Sequence, residues 1–104
     1  MKKAMISQPM GNKTEKEIIE TKNKALAFLK ENGYEVVNTL FTDEWYNNKE
    51  DENIVNRPLY FLAQSLIKMS QCDVAYFCKG WEEKRGCKIE HLAAKEYGLE
   101  IIYE

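Results

Sequence analysis

Glu90 is the residue in this sequence with the most chemistry to offer, because the pattern around it places it one turn inside a helix that begins at the carboxyl end of a strand. A carboxylate there is held as an anion by the helix dipole. In a sheltered cleft such an anion can attack an anomeric carbon, stabilising oxocarbenium character and forming a covalent glycosyl ester. An acidic residue decorating an exposed first turn would give the same letter at the same place. Lys84 and Arg85 precede the helix and Lys79 ends the strand before it, so three cations border a helix start that also carries Gly80 and Gly86. Backbone amides with Lys or Arg recognise phosphate, and glycine permits close approach. A solvated charged surface explains the cluster equally well, since no full phosphate-loop motif accompanies it.

A second group lies near the amino terminus, where Ser7-Gln8-Pro9-Met10-Gly11 could set backbone amides and the Gln8 amide around a ligand. It lacks the spacing of the dinucleotide fingerprint, and an ordinary strand-to-helix turn would read the same way. Trp45, Tyr46 and Trp81 are rings that could stack on a nucleobase or shield a core edge or an oligomer contact. His91 follows Glu90 directly and points about 100 degrees away around the helix, which suits a structural or interface role. Cys72, Cys78 and Cys87 are an odd number without a CxxC pair, so reduced packing thiols are expected and no metal site. Cys78, Cys87 and His91 fit no common zinc spacing. No nucleophile elbow is present.

The elements that must position these groups follow from periodicity and punctuation. Residues 3–7 read as a buried strand stopped by Pro9 and Gly11. Thr14 and Glu17 have the form of a capping box, Ile18, Lys22, Ala25, Leu26 and Leu29 recur at helical spacing, and Gly33 ends that helix. Residues 34–38 read as a second strand, and 42–56 as a long polar loop, functional or disordered. Pro58 opens a second helix that runs to about Ser70. A third strand covers 73–77, a short connection 79–85, a third helix 86–97 and a last strand 100–103, with Gly98 between the last two. Strands alternating with helices predict parallel pairing through right-handed crossovers. The expected architecture is a three-layer α/β/α sandwich, flavodoxin- or Rossmann-like, with a short parallel sheet of about four strands. Ligands of such sheets sit outside the carboxyl ends of the strands, which nominates 7–12, 38–56 and 78–90.

The 104 residues make one domain, 1–104. Hydrophobic residues at 44% and charged residues at 31% exclude a disordered chain. A net charge of -2 with no dominant block disfavours a nucleic acid polymer as partner. No apolar run approaches the roughly 20 residues of a membrane span, and the first residues are too polar for a signal peptide, so a cytoplasmic protein without a membrane partner is expected. Small domains are marginal as monomers, and homo-oligomerisation is expected.

The segments Ser70-Gln71-Cys72-Asp73-Val74-Ala75-Tyr76-Phe77, Gly80-Trp81-Glu82, Arg85-Gly86-Cys87-Lys88-Ile89-Glu90-His91, and Ala93-Ala94 through Gly98-Leu99-Glu100-Ile101 together resemble the nucleoside 2-deoxyribosyltransferase-like superfamily, in a small bacterial and phage branch. The resemblance covers most of the chain and is strongest after Ser65. It implies Glu90 as the nucleophile on the sugar's anomeric carbon and Gly86 as the family glycine. It also implies Lys84 and Arg85 as contacts to a 5′-phosphate, with Asp43, Glu44 and Tyr46 as further loop contributors. Ser65 stands where characterised members carry an aspartate that assists the leaving base, and assistance of that kind is typically worth about 100- to 10,000-fold. The expected ligand is a small nucleotide or nucleoside, and no cofactor is needed because the ester itself carries the intermediate. The alternative within the same fold is a non-catalytic nucleotide-binding or sensing module; a third possibility is a structural adaptor using its aromatic loop.

Overall fold

Residues 4–7 and 74–77 are buried without alternation, the mark of strands covered on both faces of a parallel sheet. They are the two central strands of the fold. The computed structural model describes residues 1–11, 13–37 and 53–104. In chain order β1 is Lys3–Ser7, α1 Glu15–Glu31, β2 Glu35–Val37, α2 Arg57–Met69, β3 Val74–Phe77, α3 Arg85–Glu96 and β4 Glu100–Tyr103, with a short 3-10 turn at Trp81–Glu83. The strands pair in the order β2-β1-β3-β4, all parallel, with Ala4 opposite Val74 and Ser7 opposite Phe77 across the central pair. The architecture is the expected three-layer, Rossmann-like α/β sandwich.

Two half-cores follow from the two-residue period of the strands. Ala4, Ile6, Val74 and Tyr76 face α1 and pack on Ala25 and Leu29. Met5, Ala75 and Phe77 face the other way, onto Met69 of α2 and Ala94 of α3. Ser7 shares the parity of Met5 and therefore points toward α3. Strand order reverses between β1 and β3, so the chain leaving β1 and the helix entered after β3 open onto the same crevice.

Local chemistry fixes the helix ends. The Thr14 hydroxyl accepts the Glu17 N–H at 3.1 Å and donates to the Glu17 carboxylate at 3.2 Å. The Asn56 side chain accepts the Leu59 N–H at 3.0 Å, so α2 begins at Arg57, one residue before the proline that marks its first turn. Gly33 and Gly98 adopt φ of 80° and 75°, the left-handed conformation that lets α1 and α3 end and the chain turn into the next strand. Several boundaries move from expectation, α3 running Arg85–Glu96 in place of 86–97. Residues 79–85 hold the 3-10 turn in place of a plain connection, closed by the Glu83 N–H donating to the Gly80 carbonyl at 3.1 Å. Asp73 lies one residue before β3, its N–H donating to the Lys3 carbonyl at 2.8 Å and its carboxylate accepting the Lys3 N–H at 3.0 Å. Tyr34 precedes β2, its N–H donating to the Leu29 carbonyl at 2.9 Å as α1 closes. The expected loop contributors Asp43, Glu44, Trp45 and Tyr46 lie outside the described residues. Among the described residues no helix is long and apolar enough to cross a membrane.

Candidate functional site

Three segments meet at the carboxyl end of the sheet around an open cleft of about 610 Å³. The turn after β1 supplies Gln8, Pro9, Met10 and Gly11. The first turns of α2 supply Arg57, Pro58 and Phe61, and the start of α3 supplies Lys84, Arg85, Gly86, Cys87 and Glu90. Helix starts expose unpaired backbone N–H groups and the positive end of the helix dipole. Two of them here border one cavity.

Glu90 lies on the inner stripe of α3 with Cys87 and Ala94, at the three- and four-residue spacing that faces a helix toward a sheet. It is 9% exposed, which removes the reading of a solvated first-turn glutamate. Burial pushes its carboxyl up to about 7, and the Ser7 hydroxyl on β1 acts in the opposite direction by favouring the anion. The Ser7 Oγ falls short of a full hydrogen bond, being buried and without a partner at bonding distance. It is therefore close enough to bias Glu90 and free to complete a bond when the carboxylate moves or ionises. The Cys87 thiol is pushed up by burial too, so it is protonated at neutral pH and a poor nucleophile. Burial likewise raises Cys72 to about 11 and Cys78 to about 12.

The β1 turn is built to hold shape. The Gln8 side-chain amide donates to the Ile18 carbonyl of α1 at 2.7 Å, which fixes the side chain and leaves its Oε1 buried without a partner. Gly11 is bare for a local reason: a Cβ there would come within 2.8 Å of the Lys84 Nζ, so the missing side chain is the space in which the Lys84 ammonium rests. A Cβ on Gly86 would meet nothing within 4 Å. Glycine inside a helix costs roughly 0.5–1 kcal/mol relative to alanine, and here it relieves no clash. It leaves the start of α3 open toward the cleft.

Of the residues singled out from sequence, Gln8, Pro9, Met10, Gly11, Lys84, Arg85, Gly86 and Glu90 line this one cavity, and Ser7 lies behind it next to Glu90. Trp81 does not line it. Its ring stacks on His91 with centroids 3.9 Å apart and on Tyr103 at 5.9 Å, because the 3-10 turn folds it back over the end of β3. His91 also shares a 2.6 Å hydrogen bond with the Tyr103 hydroxyl, on the side of α3 away from Glu90. Lys79 donates its backbone N–H to the Glu104 carboxylate at 2.7 Å and does not line the cleft. Ser65 is buried on α2 one turn past Phe61, and it too is absent from the lining. Arg57, Pro58, Phe61 and Cys87 were not anticipated. Among the described residues no group of three or more His, Cys, Asp or Glu is placed to hold a metal ion.

No curated protein and no solved structure matches the chain. A family model described as a domain of unknown function, DUF4406, matches residues 2–103, and with nearly its whole length covered the chain belongs to that family.

Proposed function

We propose that this protein cleaves or exchanges the N-glycosidic bond of a nucleotide, with Glu90 as the nucleophile, in the manner of the nucleoside 2-deoxyribosyltransferase-like enzymes its motifs resemble. The observation that carries the proposal is a single buried carboxyl lining an open cleft, in the second turn of a helix, beside Arg57, Lys84 and Arg85. Desolvation raises the basicity of that carboxylate, and a more basic oxygen is a better nucleophile toward carbon. One Glu90 oxygen forms a bond to the anomeric carbon as the carbon–nitrogen bond breaks, and the bonding pair leaves with the base. The base takes a proton from solvent. Water or a second base then attacks the same carbon and releases the carboxylate. Lys84 and Arg85 hold the phosphate, assisted by the open backbone at Gly86.

Glu90 is the only carboxylate among the described lining residues, and Ser65 offers no acid. Without assistance at the leaving base the reaction is slow by the factor general-acid catalysis normally supplies, about 100- to 10,000-fold. That same observation favours a second reading, a nucleotide-binding or sensing module that keeps the pocket. Incubation with a panel of nucleotides and deoxynucleotides, following free base by chromatography, separates the two. The enzyme reading expects base release that falls to background in Glu90→Ala. A saturable thermal shift without release assigns the sensing role.

A further inference from the structure

The geometry points to Arg57 as a determinant of specificity: from the first turn of α2 it reads a phosphomonoester on the ligand, from the wall of the cleft facing Lys84 and Arg85. This rests on the site proposed above and adds to it a residue and a division of labour. Arg57, Lys84 and Arg85 come from two helices and line one cavity, and no ion pair joins any of them to a carboxylate among the described residues. Among the described lining residues these three cations meet a single carboxyl, Glu90, a surplus of positive charge that an anionic ligand would balance.

Several features favour a compact dianion over a flat or extended anion. Asn56 caps α2 immediately before Arg57, so the guanidinium starts from a fixed helix end and not from a free loop. The Lys84 ammonium lies over the bare Cα of Gly11 in the β1 turn, which brings its charge to the other side of the cleft. The first turns of two helices border the cavity, and the positive end of a helix dipole favours an anion. The Gln8 side chain, tied by its amide to the Ile18 carbonyl at 2.7 Å, holds the β1 turn that borders this space in one shape. A guanidinium binds phosphate through two parallel hydrogen bonds, whereas a lysine contributes only a point charge.

The test is binding by titration calorimetry in a Glu90→Gln background, so that no ligand is turned over. The probes are deoxynucleoside 5′-monophosphates, the matching deoxynucleosides and inorganic phosphate. Arg57→Ala is expected to weaken monophosphate binding by about 10- to 100-fold, with Arg57→Lys intermediate. Deoxynucleoside binding should be unchanged, and inorganic phosphate should compete with the monophosphate in the protein that keeps Arg57 and lose that ability in Arg57→Ala. Far-UV circular dichroism and the Tm of each variant confirm that α2 is intact. Equal losses for nucleotide and nucleoside, no loss for either, or a protein that binds neither monophosphate nor inorganic phosphate at millimolar concentration overturns the assignment. The readout does not depend on bond cleavage, so a protein that releases no base can still pass or fail it.

Discussion

Glu90 decides most at the scale of single residues, because one environment sets both its reactivity and its cost to the fold. Its carboxyl is raised from 4.5 to about 7 by burial, so the folded protein binds a proton there more tightly than the unfolded chain. The stabilisation that comes with the bound proton is fully present below about 4.5 and is lost as the pH rises through about 7. The shift corresponds to about 3 kcal/mol. Glu90→Gln, which cannot ionise, should therefore be more stable than the parent by about that amount at pH 8, and equal to it near pH 4; thermal unfolding at the two values checks this. The sign for activity runs the other way. A nucleophile works as its anion, so kcat/KM for base release should rise with pH through about 7, and a profile that falls through the same range would mark Glu90 as an acid. Removing the Ser7 hydroxyl takes away the group that favours the anion, so Ser7→Ala should move that midpoint upward.

At the scale of elements, the site depends on where three chain segments begin and end. Asn56→Ala removes the cap of α2 and should cost about 1 kcal/mol in stability. Because Arg57 is the next residue, the same change should also weaken nucleotide binding, measured by calorimetry. Gly11→Ala tests the opposite wall. Gly11 has no positive φ, so alanine brings no backbone strain there, and its methyl group would displace the Lys84 ammonium. Binding of a monophosphate should fall severalfold while the Tm stays within about 2 °C, as for surface changes worth under about 0.5 kcal/mol. The strands, helices and glycine stops were legible because apolar periodicity and punctuation encode them locally. The burial of Glu90 was written in its spacing to Cys87 and Ala94, yet three and four residues on a helix say that side chains share a face without saying which neighbour covers it. Arg57 escaped because the nominated loop ended at Asn56, whereas the helix start just beyond it is what reaches the cleft. Trp81 went elsewhere because the 3-10 turn, set by backbone hydrogen bonds with no strong sequence signature, carries its ring onto His91.

For the whole molecule, the strand order β2-β1-β3-β4 is what turns separate motifs into one cleft. The crossover from β2 to β3 brings α2 beside α3 on the face toward which Ser7 points, so a turn near residue 9 and helix starts near 57 and 85 become neighbours. A net-negative chain with a cationic cleft also makes ligand affinity depend on ionic strength, and it should fall as salt is raised. The central claim is that Glu90 forms a covalent bond to the sugar. Its most direct test is intact-protein and peptide mass spectrometry on samples quenched during incubation with the nucleotide that best releases base. The account predicts an added pentosyl-phosphate mass on the peptide containing Glu90 that is absent from Glu90→Ala. Base release that continues in Glu90→Ala, with no adduct on that peptide in the parent protein, would contradict it.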